Sequence, residues 1–209
     1  MTEVVPMTGR VPRLQWAAAS LPLSGETVSG DKHIVCPYPG GILLGVVDAL
    51  GHGPEAAFAA KVAVATLERY ADSPIVPLFR RCHEMLAKTR GVVAGLASVS
   101  LRESAMFWAA VGNVEGWIVR ADRSRTPQSI IQFGGVVGYR LPKISGLERM
   151  PLSPGDRMIF TTDGMDSEST AALSMTEPLP RLAGSLLRRF VKGTDDALVL
   201  IAEYAGAPA

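Results

Sequence analysis

Four acidic residues stand beside apolar runs in this sequence, and their placement constrains the fold more than any other feature. Residues 42–47 are apolar and lead directly to Asp48, after which the chain is rich in glycine. Asp31, Asp163 and Asp195 likewise lie at the boundary of an apolar stretch. Like charges that meet at strand ends raise one another's pKa and oppose folding, whereas divalent cations with oxygen ligands stabilise them. The pattern therefore indicates a metal site where strands end.

The first two acids are expected to meet across an antiparallel hairpin. A strand from Asp31 is followed by a turn at residues 37–41 and by a strand that ends at Asp48. Pairing of the residues that flank this turn puts Asp31 opposite Val47, next to Asp48. The third and fourth acids would share an edge only if their two strands also pair, which the sequence does not show.

The alternation of short apolar segments with helical segments predicts an α+β fold. Several stretches with β-strand composition are joined by short turns, which favours antiparallel neighbours. Two longer helices are predicted at residues 55–70 and 77–89, and a shorter one at residues 180–191. With 47% apolar residues, the chain can bury a substantial core. We expect one domain over residues 1–209, in which residues 1–13 form an irregular N-terminal segment.

Composition argues against several classes of function. The net charge is +1 and no basic block occurs, so neither nucleic acid nor an anionic membrane is the expected partner. Cys36 and Cys82 form no spaced framework, which favours a reducing, cytoplasmic environment. The N-terminal residues lack a long apolar core, so we expect neither a signal peptide nor a membrane anchor there.

Taken in order, four motifs resemble the metal-dependent serine/threonine phosphatases of the protein phosphatase 2C (PPM) class. The motifs are Ser29-Gly30-Asp31, Val47-Asp48-Ala49-Leu50-Gly51-His52-Gly53, Thr162-Asp163-Gly164 and Asp195-Asp196-Ala197-Leu198-Val199. Each is weak alone because Asp-Gly is a common turn, but their order and spacing extend the resemblance over almost the whole chain. The chain resembles most the short bacterial branch of this class, which includes the sporulation phosphatase SpoIIE and the stressosome phosphatase RsbX.

The resemblance implies a four-layer α-β-β-α sandwich of two antiparallel sheets flanked by helices, with two Mn²⁺ or Mg²⁺ ions at one edge. Asp48 would bridge both ions, and the backbone carbonyl of Ala49 would contact one of them. Asp163 and Asp195 would complete the first ion's shell, while Asp31 would hold the second, partly through water. Asp48 and Asp31 would thereby take the catalytic role, through a metal-activated water that attacks phosphorus in line. Most relatives have glycine in place of Ala49, and alanine tolerates fewer backbone angles.

Further positions have supporting or open assignments. Gly30 belongs to the first motif. Asp196 is an alternative to Asp195 as a ligand. Asn113 stands where some relatives have an acid that helps a third ion, so the presence of a third ion stays open. His52 lies beside the proposed ions, and histidine is a common general acid, so His52 is a candidate for that role, although a turn or supporting role is favoured.

The resemblance implies a manganese- or magnesium-dependent phosphatase acting on phosphoserine or phosphothreonine. Its substrates would be phosphorylated STAS-domain scaffold proteins of the stressosome, so that the enzyme resets bacterial stress signalling. One alternative keeps the chemistry and changes the target to a phosphorylated anti-sigma-factor antagonist, as for SpoIIE-like enzymes. Another is a catalytically silent phosphatase fold that only binds a partner. Retention of all four acids argues against the silent module, although Ala49 leaves room for it.

Overall fold

The computed structural model describes residues 6–122, 126–166 and 175–206. The strands within these ranges are β1 (Met7–Val11), β2 (Leu14–Leu21), β3 (Asp31–Tyr38), β4 (Gly41–Ala49), β5 (Val92–Ser100), β6 (Ala105–Val111), β7 (Glu115–Val119), β8 (Gln128–Ser129), β9 (Gln132–Phe133), β10 (Met150–Pro151), β11 (Arg157–Thr161) and β12 (Ala197–Tyr204). The helices there are α1 (Gly53–Arg69), α2 (Ile75–Leu86) and α3 (Leu179–Phe190). None of these helices is long and apolar enough to cross a membrane.

The strands form two sheets that pack face to face. The first sheet has the order β10-β6-β5-β4-β3, and the second has the order β1-β2-β12-β11-β7-β8. Neighbouring strands are antiparallel, except that the two-residue β9 runs parallel to β6. Apolar side chains of both sheets fill the space between them, where Trp108 meets Phe160 edge to face at 6.3 Å between ring centroids.

Helices cover the two outer faces of this sandwich. Helices α1 and α2 bury Ala60 and Phe79 against the first sheet. Helix α3 buries Leu182 and Leu186 against the second sheet. Complete burial of one large apolar side chain contributes about 1.5–3 kcal/mol, so each helix is held mainly by this packing. The layers therefore follow the order α-β-β-α, as predicted.

The helices agree with the predicted ones apart from their ends. Helix α1 has Pro54 in its first turn, as expected from the sequence. Helix α2 begins at Ile75, before the predicted start at Pro77, and ends at Leu86. Pro77 lies in the first turn, where backbone N–H groups have no intrahelical acceptor, so its missing N–H costs no hydrogen bond.

The predicted register of the first hairpin is wrong by one residue. Asp31 pairs directly with Asp48 rather than with Val47. Strand β3 continues through Pro37, and the chain turns tightly at Gly40, whose φ of 86° is left-handed. Pro37 is compatible with strand geometry here because β3 is an edge strand and its missing N–H removes no ladder bond.

The prediction of an irregular segment at residues 1–13 is also wrong for its described part. Strand β1 pairs with β2 in antiparallel register, with Gly9 opposite Trp16. The side chains of β1 are mostly exposed, so no apolar alternation marks it in the sequence. Gly9 is needed for this pairing, because a β-carbon there would lie 2.6 Å from Nε1 of Trp16. Residues 1–5 lie outside the described ranges.

Candidate metal centre

The four aspartates singled out from the sequence lie at one edge of the sandwich, called the acidic rim here: Asp31, Asp48, Asp163 and Asp195. Asp31 and Asp48 come from the first sheet, where they face each other at the end of the β3–β4 ladder. Asp163 follows β11 and Asp195 precedes β12, and these two strands pair antiparallel. The pairing that the sequence left open therefore exists, and it brings both hairpins to the same edge.

A threonine hydroxyl joins the two halves of the acidic rim. Thr162 Oγ1 donates a hydrogen bond to Asp31 Oδ2 at 2.6 Å and accepts one from the backbone N–H of Leu198 at 2.9 Å. Thr162 is buried, so both bonds are shielded from water. The hydroxyl fixes the orientation of the Asp31 carboxylate. Sequence reasoning gave Thr162 no role, although a hydroxyl residue directly before an acid at a strand end was a usable signal.

Asp163 is fixed by two polar neighbours. The side-chain amide of Asn113 donates to Asp163 Oδ2 at 2.6 Å, and Lys192 Nζ donates to the Asp163 backbone carbonyl at 2.7 Å. Asn113 thus supports an acid of the rim, which is a different role from helping a third ion. The contact with Lys192 was missed because its separation in sequence gave no pattern.

The adjacent acids Asp195 and Asp196 have different surroundings. The carboxylate of Asp196 is buried and accepts hydrogen bonds from the backbone N–H groups of Leu23 and Gly30, each at 2.7 Å. Asp195 is less buried, and its Oδ1 accepts the N–H of Asp196 at 2.8 Å. Both oxygens of Asp196 are already used in holding the β2–β3 loop. The arrangement therefore favours Asp195 as the metal ligand and gives Asp196 a structural role.

Gly30 and Ala49 lie at the open end of the first hairpin, where the loop before β3 meets the end of β4. The N–H of Ala49 donates to the carbonyl of Gly30 at 3.3 Å. A β-carbon on Gly30 would lie 2.9 Å from Cβ of Ala56, so only glycine lets the loop approach α1 this closely. The left-handed backbone of the following turn falls on Gly51 (φ 79°) and Gly53 (φ 77°) rather than on Ala49. Alanine therefore fits at position 49 without backbone strain.

His52 stands just before α1, as its N-cap residue. Its Nδ1 lies 2.6 Å from Oε1 of Glu26, and its side chain is 52% exposed. The imidazole is thus held beside the turn that follows Asp48 and remains accessible to solvent. Glu26 was not foreseen, because nothing in the sequence links it to His52.

Comparison with known proteins shows the family to which the chain belongs. The family described as Stage II sporulation protein E (SpoIIE) matches residues 38–204. The chain belongs to the SpoIIE family. Among curated proteins, none shows significant similarity to it.

Solved structures resemble this SpoIIE-family chain along most of its length. One, from a study of the bacterial stressosome as a modular system adapted to control secondary messenger signalling, is 28% identical, with a TM-score of 0.82; the match covers 91% of this chain and 99% of the other. RsbX in complex with magnesium is 18% identical, with a TM-score of 0.83 and coverage of 96% and 100%. The catalytic domain of PstP, in complex with two manganese ions, is 18% identical, with a TM-score of 0.66 and coverage of 92% and 98%. The fold of this SpoIIE-family chain is therefore the predicted PP2C phosphatase fold.

The carboxylates of the acidic rim would be stabilised in their charged form by a nearby positive charge. Burial, together with the nearby carboxylates of Asp31, Asp163 and Asp195, raises the pKa of Asp48 from 3.8 to about 9. Burial also raises the pKa of Asp31 to about 8, against the opposing effect of the Thr162 hydrogen bond. No lysine or arginine of the described residues forms an ion pair with these carboxylates.

The donor set fits a hard divalent cation such as Mg²⁺ or Mn²⁺, because carboxylate and carbonyl oxygens are the ligands that these ions prefer. The rim brings four carboxylates into electrostatic contact, as the raised pKa values of Asp31 and Asp48 indicate. Among the described residues, no three or more His, Cys, Asp or Glu side chains are grouped as a formed metal site. The backbone supplies the common edge at which the four carboxylates lie.

Proposed function

We propose that this chain is a manganese- or magnesium-dependent phosphoserine/phosphothreonine protein phosphatase. Its proposed substrates are phosphorylated STAS-domain scaffold proteins of the stressosome, so that its activity resets bacterial stress signalling in the cytoplasm. In this proposal one catalytic domain extends over the whole sequence.

The observation that carries the proposal is the direct pairing of Asp31 with Asp48 at the end of the β3–β4 ladder. A buried carboxylate (Asp31) and a half-buried one (Asp48), held opposite each other by the strand pairing, destabilise a fold unless a positive group joins them. The raised pKa values of both groups express this cost. A cation-binding role explains why the sequence keeps both acids at this position.

In the proposed site, two cations would be held by the carboxylates of Asp31, Asp48, Asp163 and Asp195 and by the carbonyl of Ala49. Two such cations, when bound, lower the pKa of water and offset the charge of a phosphate ester during in-line attack.

The protein's own groups position these ligands. Thr162 orients the Asp31 carboxylate, and Asn113 orients that of Asp163. His52 is held by Glu26 beside the turn that follows Asp48, where a supporting role in that turn is favoured and a role as general acid for the leaving serine or threonine oxygen is the alternative.

The choice of substrate rests on likeness to other proteins. The 28%-identical structure comes from work on the bacterial stressosome, and RsbX has the same fold over its whole length. These similarities support a substrate in a stressosome, and the STAS-domain scaffolds are the phosphoproteins that the sequence resemblance implies.

The test is dephosphorylation of a purified phosphorylated STAS scaffold protein, with manganese, with magnesium and after strict chelation. We expect turnover with either metal, none after chelation, and a loss of about 100- to 1000-fold in the Asp48→Asn variant, as for groups that stabilise transition-state charge. Glu103→Gln, an acid exposed between β5 and β6, is the matched control and retains parental turnover. Full turnover after chelation would refute metal dependence.

A second candidate substrate is a phosphorylated anti-sigma-factor antagonist. The match to the SpoIIE family over residues 38–204 favours this second substrate. The resemblance described under the sequence analysis implies that SpoIIE-like enzymes act on a phosphorylated anti-sigma-factor antagonist. The two phosphoproteins should be compared side by side under the same conditions. A ratio of kcat/KM above about 10 in either direction identifies the preferred substrate, since this corresponds to about 1.4 kcal/mol of transition-state discrimination.

A further inference from the structure

An open groove of about 440 Å³ lies between the first turns of α1 and the connection from α2 to β5. Its lining residues are Pro54, Glu55, Phe58, Lys88, Thr89 and Arg90. None of them belongs to the acidic rim or to the residues that position it, so the proposed chemistry leaves this groove unexplained.

The groove borders the acidic rim directly. The backbone N–H of Leu50 donates to the carbonyl of Gly91 at 3.2 Å, which fastens the turn after Asp48 to the segment that carries Arg90. The guanidinium of Arg90 lies close to Gly51. A β-carbon on Gly51 would be only 2.6 Å from Nη1 of Arg90. Each residue of an extended peptide spans about 3.3–3.6 Å. A substrate whose phosphorylated residue lies at the rim therefore reaches the groove with a residue only a few positions away.

The groove combines an apolar surface with positive charge. Phe58 is 60% exposed, so its aromatic ring is accessible at the groove. Lys88 is exposed and has no ion-pair partner among the described residues. Arg90 pairs with Glu55 at 2.6 Å, but both side chains are largely exposed, so this pair is weak and exchangeable.

Lys88 and Arg90 give the groove two positive charges against the single negative charge of Glu55. An acidic group of a substrate is therefore attracted by Lys88, and by Arg90 when its exposed pair with Glu55 opens. Such complementarity orients a charged partner as it binds and selects among partners. An exposed aromatic ring next to it offers a contact for one apolar side chain.

We propose that this groove, Phe58 with Lys88 and Arg90, is the docking site for the segment of the phosphoprotein substrate that flanks its phosphorylated residue. The groove selects a segment that carries an apolar residue and an acidic residue. Phe58 packs against the apolar side chain, and Lys88 pairs with the acidic one. The inference rests on the proposed phosphatase function and adds to it a determinant of substrate choice outside the metal site.

The experiment uses two synthetic phosphoserine peptides of equal length. One carries leucine and aspartate on both sides of the phosphoserine, and the other carries alanine and lysine there. For the parent protein with manganese, we expect kcat/KM for the acidic, apolar peptide to exceed that for the other by about tenfold. In the double variant Phe58→Ala, Lys88→Glu, this ratio should fall to about twofold or less.

The matched control is the double variant Phe107→Ala, Arg102→Glu. Phe107 is 40% exposed, and Arg102 lies on the exposed turn after β5, at the opposite end of that strand from Arg90. This control makes the same kinds of change and should keep the parental ratio. Thermal unfolding of both double variants checks that they remain folded. If the variant Phe58→Ala, Lys88→Glu does not fold, the single variant Lys88→Glu provides a milder change.

Binding of the same two peptides, labelled with a fluorophore, to the Asp48→Asn variant separates docking from catalysis. Tighter binding of the acidic, apolar peptide, lost when Phe58 and Lys88 are also replaced, supports the groove. Equal binding of both peptides, or a preference that survives these replacements, overturns it. Failure of the parent to hydrolyse either peptide with manganese would instead count against the phosphatase function, and the binding result would still decide the role of the groove.

Discussion

Gly164 lies so close to the backbone of Asp196 that a β-carbon at position 164 would be only 1.9 Å from the Asp196 carbonyl oxygen. This contact joins the loop after β11 to the loop before β12. It thereby sets the separation of Asp163 and Asp195. The glycine is required for close approach, since its φ does not lie in the left-handed region.

We therefore expect Gly164→Ala to push the two loops apart. Overpacking of this kind costs about 1–3 kcal/mol of unfolding free energy, and displacement of the two carboxylates should remove most manganese-dependent phosphatase activity. Urea unfolding and phosphatase assays measure the two effects. Gly134→Ala is the matched control, because nothing lies within 4 Å of a β-carbon there. Equal behaviour of the two variants would contradict the proposed role of the contact.

The hydroxyl of Thr162 can be removed without changing the shape of the side chain. In Thr162→Val, the N–H of Leu198 loses its acceptor and Asp31 loses a donor, which should cost about 1–3 kcal/mol. Because Asp31 is then free to rotate, we expect manganese affinity, measured by calorimetry, to fall by about tenfold or more. Thr66→Val is the control, since the Thr66 hydroxyl donates within α1, to Val62. That variant should keep parental affinity.

The neighbouring acids Asp195 and Asp196 should respond in opposite ways to neutralisation. Asp196→Asn replaces one acceptor oxygen by an amide that faces a backbone N–H, so we expect a loss of about 1.5–3 kcal/mol of stability. Asp195→Asn should change stability by less than about 0.5 kcal/mol while weakening manganese binding strongly. Chemical denaturation and calorimetric titration of both variants make the comparison. A stable Asp196→Asn variant that no longer binds manganese would reverse the two assignments.

The thiol of Cys82 gives a pH dependence with a defined sign. Burial raises its pKa from 9.0 to about 12, so the folded chain keeps a proton that the unfolded chain releases. The stability contributed by this group is complete below pH 9 and is lost as pH rises toward 12. Between about pH 9 and pH 10, the free energy of unfolding of the parent should fall by about 1 kcal/mol more than that of Cys82→Ala. Parallel pH profiles of the two proteins would contradict this.

Much of the fold followed from local patterns in the sequence. Strands β6 and β12, for example, are apolar runs that end at turns, which is the pattern that predicts strands. The three helices were marked by apolar faces and by proline near their first turns. The placement of Asp48 at a strand end was also visible, because one apolar run leads directly to it.

What the sequence did not reveal depends on contacts between distant segments. The one-residue error at Asp31 arose because an edge strand accepts Pro37, which looked like part of the turn. The separate tasks of Asp195 and Asp196 became visible only when Leu23 was found to donate to Asp196 from the other end of the chain. Strand β1 depends on pairing with β2 rather than on its own apolar residues. Such features are decided by tertiary packing, for which a single sequence has no local signal.

The acidic rim draws two carboxylates from each sheet, and the hydrogen bond from Thr162 to Asp31 crosses between them. Neither sheet forms the acidic rim alone, because each supplies only two of its four carboxylates. In a nascent or partly unfolded chain in which the sheets have not yet come together, the two pairs of carboxylates are consequently apart. The acidic rim should therefore form in the same cooperative step as sheet docking.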